Sequence, residues 1–262
     1  MNIIDFENIH ASYEERLILK ELTLKIKEQE HWAILGANGS GKSTLIKLIS
    51  SEIHPRQQYT YKKEILGKER YSLLDLKKML GIITNDLHNY FYTQGAYLTA
   101  YEVVLSGHYS SIGIFKHQDF TQEQHDKAME VLEFLEITHL KDKQVGTMST
   151  GELRKSIIGR ALVHEPKAFI LDEPTVGLDI KAQINFIELL RKLSKKSTII
   201  LVTHHIEEIF EEINHIALIK NQTIFKQGFK QEILTSENIS ETFDTPLSVG
   251  QNGGRYFIQP LH

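Results

Sequence analysis

The stretch GANGSGKST, residues 36–44, constrains this chain most, because it matches the pattern G-x-x-x-x-G-K-[ST]. It follows the apolar run HWAILG, which predicts a short buried strand. It leads into STLIKLIS, where Leu45, Leu48 and Ile49 share one face of a predicted helix. In this order of strand, glycine loop and helix, backbone N–H groups curl around phosphate oxygens at a helix N-terminus. A glycine turn that only opens a helix is the alternative, and the preceding strand favours phosphate binding.

Each residue type in this stretch has a part in binding a nucleotide. Glycines let the backbone approach the phosphates, Lys42 reaches the outer phosphates, and the hydroxyl of Ser43 holds Mg²⁺. The predicted nucleotide-binding residues of the loop are Gly36, Asn38, Gly39, Ser40, Gly41, Lys42, Ser43 and Thr44.

A second predicted strand supplies acidic residues. A metal ion that bridges the β- and γ-phosphate oxygens needs a carboxylate from the end of another buried strand. The segment KAFILDEP predicts such a strand, which closes with Asp172 and is followed by Glu173. Asp172 is therefore a candidate Mg²⁺ ligand, and Glu173 is a candidate general base for the attacking water. The alternative is a pair of solvated turn acids before Pro174.

Composition excludes several classes of protein. The 262 residues are 41% hydrophobic, which is enough for a substantial core. No apolar run approaches the roughly 18 residues that cross a bilayer, and the opening residues lack an export pattern, so we expect a cytoplasmic protein. The absence of cysteine excludes disulfides and cysteine-ligated zinc, and the net charge of −4 argues against a strongly basic nucleic-acid footprint. The adjacent His204 and His205 point in different directions, so a shared metal ion is the less favoured interpretation.

The remaining patterns predict an α/β fold. STIILVTHH predicts a third buried strand, and QINFIELLRKLSKK predicts the helix before it, so the sheet is mainly parallel and ligands bind beyond the carboxyl ends of its strands. The spacing of Ile206, Ile209, Phe210 and Ile213 predicts an amphipathic helix. HIALIKNQTIFKQG predicts an antiparallel edge hairpin. Residues 86–162 have helical but little strand pattern, which predicts an inserted helical subdomain.

These motifs, in this order, resemble those of the ATPase subunit of an ATP-binding cassette (ABC) transporter. GANGSGKST resembles the Walker A loop, and FILDE resembles the Walker B strand. VGLD, which ends in Asp179, resembles the D-loop, and His204 in VTHH resembles the switch histidine that senses the γ-phosphate. Tyr13 stands where the family stacks an aromatic ring on adenine, although a strand tyrosine packed in the core is the alternative.

The resemblance also implies the domain organisation. It predicts a P-loop NTPase core with a mainly parallel sheet, an antiparallel β edge subdomain and the inserted helical subdomain. The ATPase domain is expected to span residues 3–238, and residues 239–262 form a tail to which the sequence assigns no role.

The segment MSTGE has two compatible interpretations. Ser149, followed three places later by Glu152 and an apolar run, is the pattern of a helix capping box. The segment also takes the place of the family signature LSGGQ, so the resemblance implies that Ser149, Thr150, Gly151 and Glu152 face the γ-phosphate of ATP bound by a second copy. Glutamate replaces the usual glutamine here, and an unpaired carboxylate would be repelled by a triphosphate. Folding back onto the N–H of Ser149 would remove that conflict.

A second difference from the family lies in LGIITNDLHNYF, where the glutamine of the Q-loop corresponds to Asn85. Asparagine is one methylene shorter, about 1.5 Å of reach, so a direct Mg²⁺ contact would become a water-bridged one. Asp86 is an alternative ligand.

The resemblance implies a mechanism and partners. ATP and Mg²⁺ bind, two copies dimerise, and Glu173, His204 and Lys42 stabilise the transferring phosphoryl group. Transmembrane permease subunits and a substrate-binding protein are the implied partners, with the chain peripheral on the inner face of the membrane and without direct nucleic-acid contact. Residues 101–115, YEVVLSGHYSSIGIF, are similar to a segment of importers for metal chelates, although a helix and loop packed within the insertion is the alternative. Two alternatives to a transporter subunit are a soluble ABC ATPase that acts on nucleic acid or ribosomes, and a regulatory module that binds ATP without hydrolysing it.

Overall fold

The computed structural model describes residues 1–13 and 15–261. In this part of the chain the strands are β1 (Asn2–Tyr13), β2 (Arg16–Lys27), β3 (Trp32–Leu35), β4 (Lys62–Ile65), β5 (Leu80–Ile83), β6 (Ala168–Asp172), β7 (Thr198–Thr203), β8 (His215–Lys220), β9 (Thr223–Phe229), β10 (Leu247–Asn252) and β11 (Arg255–Pro260). The α-helices are α1 (Lys42–Ile49), α2 (Leu73–Met79), α3 (Asn85–Thr93), α4 (Ala100–Leu105), α5 (Gln122–Phe134), α6 (Thr150–Leu162), α7 (Ile180–Ser194), α8 (Lys230–Ile233) and α9 (Ser236–Phe243). Short 3-10 helices span Ser106–Tyr109, Thr138–Leu140, Val145–Thr147 and Ile206–Glu208.

Two compact units divide the chain. The first unit comprises Met1–Ser72 and Leu193–His262, and the second unit is Leu73–Lys192. The second unit contains the predicted helical insertion and extends beyond it on both sides, because β5, β6 and most of α7 also belong to it. No helix among residues 1–13 and 15–261 combines the length and apolar character that a membrane crossing requires.

The first unit contains the strand that leads into the glycine loop. Its strands pair in the order β7, β3, β8 and β9, with β3 parallel to both β7 and β8. The residues of β3 and β7 are all buried, which explains why both read as continuous apolar runs. The predicted hairpin is confirmed, since β8 and β9 are antiparallel and join through Asn221 and Gln222 at φ 50° and 70°.

A separate antiparallel sheet in the same unit has the order β2, β1 and β4. It matches the predicted antiparallel subdomain. Its buried faces include Ile4, Phe6, Leu22 and Leu24, each fully inaccessible to solvent.

The second unit pairs β5 with β6 in parallel and surrounds them with helices. Three of those helices, α4, α5 and α6, begin with capping boxes in which a threonine or serine and the residue three places later bond each other's backbone N–H. A Cβ on Gly159 of α6 would lie 2.8 Å from the side chain of Val104 and 2.9 Å from that of Leu135. A glycine at this position therefore lets α4 and the end of α5 pack closely on α6.

The predicted amphipathic helix over Ile206–Ile213 is wrong. The structure has one 3-10 turn, Ile206–Glu208, which Ile209 N closes by donating to Ile206 O, and a separate turn in which Ile213 N donates to Phe210 O. Ile206, Ile209, Phe210 and Ile213 are nevertheless buried, with at most 4% of each exposed. In an i→i+3 turn, residues three apart lie on the same side, as they nearly do in an α-helix. The burial of these four side chains is therefore compatible with turns as well as with an α-helix.

The tail forms structure that the sequence analysis did not predict. β10 and β11 make an antiparallel hairpin around Gly253 and Gly254, which both have positive φ. Ser240 Oγ of α9 accepts a hydrogen bond from Leu247 N, and its hydroxyl donates to Leu247 O. The predicted domain boundary at residue 238 therefore falls inside α9, and the last residue of the predicted tail, 262, lies outside the described residues.

Candidate functional site

The first unit brings the glycine loop and the predicted switch histidine, His204, to the same edge of its parallel strands. Leu35, the last residue of β3, pairs with Thr203, the last residue of β7. Gly36 and His204 directly follow these two residues, so both lie beyond the carboxyl ends of adjacent parallel strands. This is the edge at which α/β proteins bind ligands.

Glycine is required at two positions of the loop. A Cβ on Gly36 would lie 2.6 Å from Ile219 O and 2.7 Å from Ser40 Oγ. Gly41, the N-cap of α1, has φ +110°, and a Cβ there would lie 2.6 Å from the side chain of Leu19. Other residues would clash at Gly36 and be both strained and crowded at Gly41.

The polar groups of the loop fit a phosphate ligand. Lys42 is 6% exposed, and its Nζ donates to Gly36 O at 2.7 Å and to Ala37 O at 3.1 Å. Ser40 Oγ is buried and has no hydrogen-bond partner among the described residues. Ser43 is exposed at the first turn of α1, so its hydroxyl is accessible to a metal ion. Oxygen donors of this kind are the ligands that Mg²⁺ prefers.

The two remaining candidates in the first unit are Tyr13 and His204. Tyr13 ends β1 and is 40% exposed, which favours a ligand contact over the core packing that was the alternative. Lys47 Nζ lies 5.3 Å from the centroid of the Tyr13 ring. The rings of His204 and His205 are 3.9 Å apart, and His205 N donates to Thr203 Oγ. Residues 1–13 and 15–261 contain no group of three or more His, Cys, Asp or Glu side chains that could hold a metal ion. The roles of Tyr13 and His204 stay predictions.

The second unit brings its acidic residues and the Q-loop position to one edge. Ile83 of β5 pairs with Leu171 of β6. Asp172, the last residue of β6, and Asn85, two residues after β5, therefore lie at the carboxyl ends of adjacent parallel strands. Glu173 follows with φ 46°, in the left-handed region that few non-glycine residues adopt. Asn85 is the first residue of α3, and its Oδ1 accepts a hydrogen bond from Arg154 Nη2 at 3.2 Å.

The predicted signature segment, MSTGE, contains the capped start of α6, so the predicted capping box is confirmed. Ser149 is the N-cap, and its Oγ accepts from Glu152 N at 3.3 Å. Glu152 Oε2 accepts from Ser149 N at 2.7 Å, so the carboxylate folds back onto the backbone. The N–H groups of Thr150 and Gly151 precede the first intrahelical hydrogen bond, which leaves them suited to an anion.

A lysine that the sequence analysis did not identify neutralises Glu152. Lys143 Nζ donates to Oε1 at 2.9 Å and to Oε2 at 2.7 Å. Burial acts to raise the pKa of Glu152, but the hydrogen bonds from Lys143 and Ser149 outweigh it and hold that pKa below its usual range. The carboxylate is therefore ionised and paired with Lys143. An unpaired carboxylate would repel a triphosphate, as the sequence analysis noted, and this pairing reduces that repulsion.

A pocket of about 580 Å³ in the second unit lies against this helix start. Its lining includes Ser149, Thr150 and Gly151, together with Asp179 of the predicted D-loop and His88 of α3. Asp179 Oδ1 accepts from Ala182 N at 2.8 Å, so it caps the first turn of α7. Burial, with a smaller effect from the charge of Arg154, lowers the pKa of His88, which favours the neutral ring.

Comparison with known proteins identifies the family. A family model described as ABC transporter matches residues 19–176. YlmA, an ABC transporter ATP-binding protein of Bacillus subtilis (strain 168), is 32% identical over 262 residues, which cover 98% of this chain and 96% of YlmA. The chain belongs to the ABC transporter ATP-binding proteins.

This ABC ATPase is also similar to FepC, the ferric enterobactin transport ATP-binding protein of Escherichia coli (strain K12), at 27% identity over 90% of this chain and 85% of FepC. A chain of a metal-chelate type ABC transporter in an inward-facing conformation matches with TM-score 0.81 and 27% identity, over 100% of this chain and 98% of that one. The dimeric ATP-binding cassette MJ0796, bound to ADP and Pi, matches with TM-score 0.68 and 26% identity, over 86% of this chain and 98% of that one.

Family membership confirms the main predictions made from the motifs. The α/β fold, with its predominantly parallel sheet and additional antiparallel strands, is that of ABC ATPases. The chain binds ATP and is an ATPase. The parts played by single side chains stay predictions, and the residues that sequence reasoning missed are Lys143 and Arg154.

Proposed function

We propose that this ABC ATPase drives the import of a metal chelate through separate transmembrane subunits, with Mg²⁺-ATP hydrolysed by a dimer of the chain. The observation that carries the hydrolytic part is the convergence of motif residues at the carboxyl ends of adjacent strands within each unit. The rest is supported by the relatives and by the exposed surface of the second unit.

Within the first unit, Lys42 binds the outer phosphates and Tyr13 stacks on the base. His204 senses the γ-phosphate. In the second unit, Glu173 accepts a proton from the attacking water. Hydroxyl, carboxylate and amide oxygens of Ser43, Asp172 and Asn85 are the proposed Mg²⁺ ligands, with Asp86 as the alternative to Asn85. When bound, the ion neutralises charge on the phosphate oxygens.

Dimerisation is supported by the signature segment. The first residues of α6 and its N-cap, Ser149, Thr150 and Gly151, line the same pocket as Asp179. In the proposed dimer this surface meets the γ-phosphate of ATP held by the other copy. MJ0796, one of the similar structures, is a dimer bound to ADP and Pi.

Exposed aromatic side chains in the second unit support the proposal that a permease subunit binds there. Tyr92 and Tyr97 are 54% and 66% exposed, and Phe115 is 48% exposed. These residues lie close in sequence to, or within, the segment 101–115 that resembles metal-chelate importers. The similarity to FepC and to a metal-chelate type transporter supports a chelate as cargo and a substrate-binding protein as a further partner.

Replacing the proposed base tests the hydrolytic part. Glu173→Gln should abolish ATP hydrolysis and trap an ATP-dependent dimer, because ATP still binds but no group accepts the proton. Glu188→Gln, at an exposed acid of α7, is the matched control and should hydrolyse ATP like the wild type. A Glu173→Gln variant that keeps wild-type turnover would remove Glu173 from the mechanism.

The transport part needs the native complex. Affinity purification of the full chain from membranes should recover a permease, and in vesicles its ATPase activity should rise when a ferric siderophore, haem or cobalamin is supplied with the binding protein. Recovery of ribosomes or nucleic acid without a permease would favour the soluble class of ABC ATPase. Stimulation by none of the three chelates would contradict the proposed cargo.

A further inference from the structure

Arg154 of α6 lies outside the motif positions considered so far. It is 5% exposed, so its guanidinium is almost entirely enclosed by the protein. Nη1 donates to Glu173 O at 3.0 Å, and Nη2 donates to Val176 O at 2.7 Å and to Asn85 Oδ1 at 3.2 Å.

These three acceptors belong to three different motif segments. Asn85 is the predicted Q-loop position, Glu173 is the proposed base that follows β6, and Val176 is the first residue of the predicted D-loop, VGLD. A planar guanidinium carries five N–H donors in a fixed fork and can hold several acceptors at once in one geometry. A lysine carries the same charge on a single nitrogen and cannot reproduce that arrangement.

The backbone at Glu173 needs such support. Its φ of 46° is disfavoured for a residue with a side chain, and its carbonyl oxygen also accepts a hydrogen bond from Val176 N at 3.3 Å. The Arg154 bonds to Glu173 O and Val176 O therefore hold both ends of this short turn. The direction in which the Glu173 side chain leaves the backbone follows from that turn.

We propose that Arg154 is a positioning residue for ATP hydrolysis, which orients Glu173 and Asn85 together and ties the D-loop turn to them. The inference rests on the proposed role of Glu173 as the base. All the contacts named above lie within the second unit, whereas the glycine loop that binds the nucleotide belongs to the first. Loss of Arg154 should therefore reduce turnover and leave ATP affinity nearly unchanged.

The test compares Arg154→Lys and Arg154→Gln with Arg160→Lys in the purified full chain. Misplacing a catalytic group by about 1 Å costs on the order of 100-fold in rate, so kcat of the Arg154 variants should fall by about 10-fold to 100-fold. KM for ATP, and the affinity for a fluorescent ATP analogue, should change by no more than about twofold because the glycine loop is intact.

Arg160 is the matched control. It lies on the same helix, its Nε and Nη2 donate to the backbone oxygen of Ser111 at 3.1 and 2.9 Å, and burial lowers the pKa of its guanidinium to about 10. Among residues 1–13 and 15–261 it makes no hydrogen bond to a motif residue. Arg160→Lys should therefore lower the melting temperature as much as Arg154→Lys without a comparable loss of kcat.

A double-mutant cycle gives a second readout. Asn85→Ala and Arg154→Lys should be strongly non-additive in kcat if Arg154 acts partly through Asn85. If the two substitutions only destabilised the protein independently of each other, their effects on kcat would add.

Several outcomes overturn the inference. They are an Arg154→Lys variant with kcat within twofold of wild type, an equal loss of kcat in Arg160→Lys, and additive effects in the cycle. Failure of both Arg154 variants to fold while Arg160→Lys folds would make Arg154 a stability residue and also overturn it. Full turnover in Glu173→Gln would refute the proposed base by itself, whereas an inactive Glu173→Gln beside a fully active Arg154→Lys would refute only the inference about Arg154.

Discussion

Replacing Glu152 with glutamine separates two consequences of a carboxylate in the signature segment. One is repulsion of the triphosphate that the second copy holds in the proposed dimer, and the other is the capping of α6. In the structure Glu152 Oε2 accepts from Ser149 N at 2.7 Å, and Lys143 Nζ lies 2.7 Å from the same oxygen. Because the negative charge is already paired, we expect Glu152→Gln to leave ATP-dependent dimerisation unchanged or to improve it.

The cost in stability is modest. The Lys143–Glu152 side chains are 34% and 27% exposed, and a partly exposed ion pair contributes about 0.2–1 kcal/mol. Glutamine keeps an oxygen for Ser149 N, but a neutral acceptor is roughly half as strong as a charged one. Together these losses amount to about 1 kcal/mol, or a fall in melting temperature of roughly 2–4 °C for a domain of this size. Alanine removes the acceptor as well, and we expect a loss of about 2 kcal/mol.

The difference between wild type and variant should depend on pH. The pKa of Glu152 is below its ordinary value of 4.5 in the folded protein, since Lys143 and Ser149 N–H outweigh burial. Its ionised form therefore contributes stability that is fully present above pH 4.5 and is lost as pH falls through the lower, folded value. Wild type and Glu152→Gln should differ by a constant amount between pH 6 and 8 and converge in acid.

The assay combines thermal unfolding with sedimentation of the dimer in ATP. Glu102→Gln is the matched control, because Glu102 Oε2 accepts from Thr99 N at 2.8 Å in the capping box of α4. It should cost a similar capping energy without affecting the dimer. A large loss of dimer in Glu152→Gln alone would refute the argument that the carboxylate is only a cap.

Three further changes test other parts of the structure. Tyr13→Ala should weaken ATP binding about tenfold, since base stacking contributes about 1–3 kcal/mol, whereas Tyr13→Phe should bind normally; equal affinity in a fluorescence titration would exclude stacking. Asn85→Ala should reduce Mg²⁺-dependent hydrolysis, and full activity across a magnesium titration would make the Q-loop assignment wrong. Gly107→Ala would place a Cβ 2.0 Å from Arg160 O, so we expect a loss of about 3 kcal/mol in urea unfolding, and wild-type stability would contradict that close packing.

Much of the candidate site was predictable because its chemically important residues lie close together in short stretches of the sequence. Gly36, Gly41 and Lys42 occur in one loop between a buried strand and a helix. The capping box of Ser149 and Glu152 needs only a spacing of three residues, and the structure contains it. Such patterns are local, so the contacts follow once the helix or turn forms.

The local sequence pattern did not predict the secondary structure correctly where several conformations were compatible with it and tertiary packing selected one. The stripe from Ile206 to Ile213 is buried as a series of turns although its spacing is helical. The hairpin of β10 and β11 escaped prediction, although Gly253 and Gly254 mark its turn. In both segments several local conformations satisfy the same apolar pattern, and tertiary contacts select among them.

The sequence by itself determined the phosphate loop, the buried strands β3, β6 and β7, and the capped start of α6, since each depends on neighbours a few residues apart. Only the tertiary structure decided what surrounds these elements. Lys143 meets Glu152, and Arg154 reaches Asn85 across 69 positions of sequence. No spacing rule encodes such pairs, because they form only after closely packed helices and strands bring distant segments together and enclose their charges.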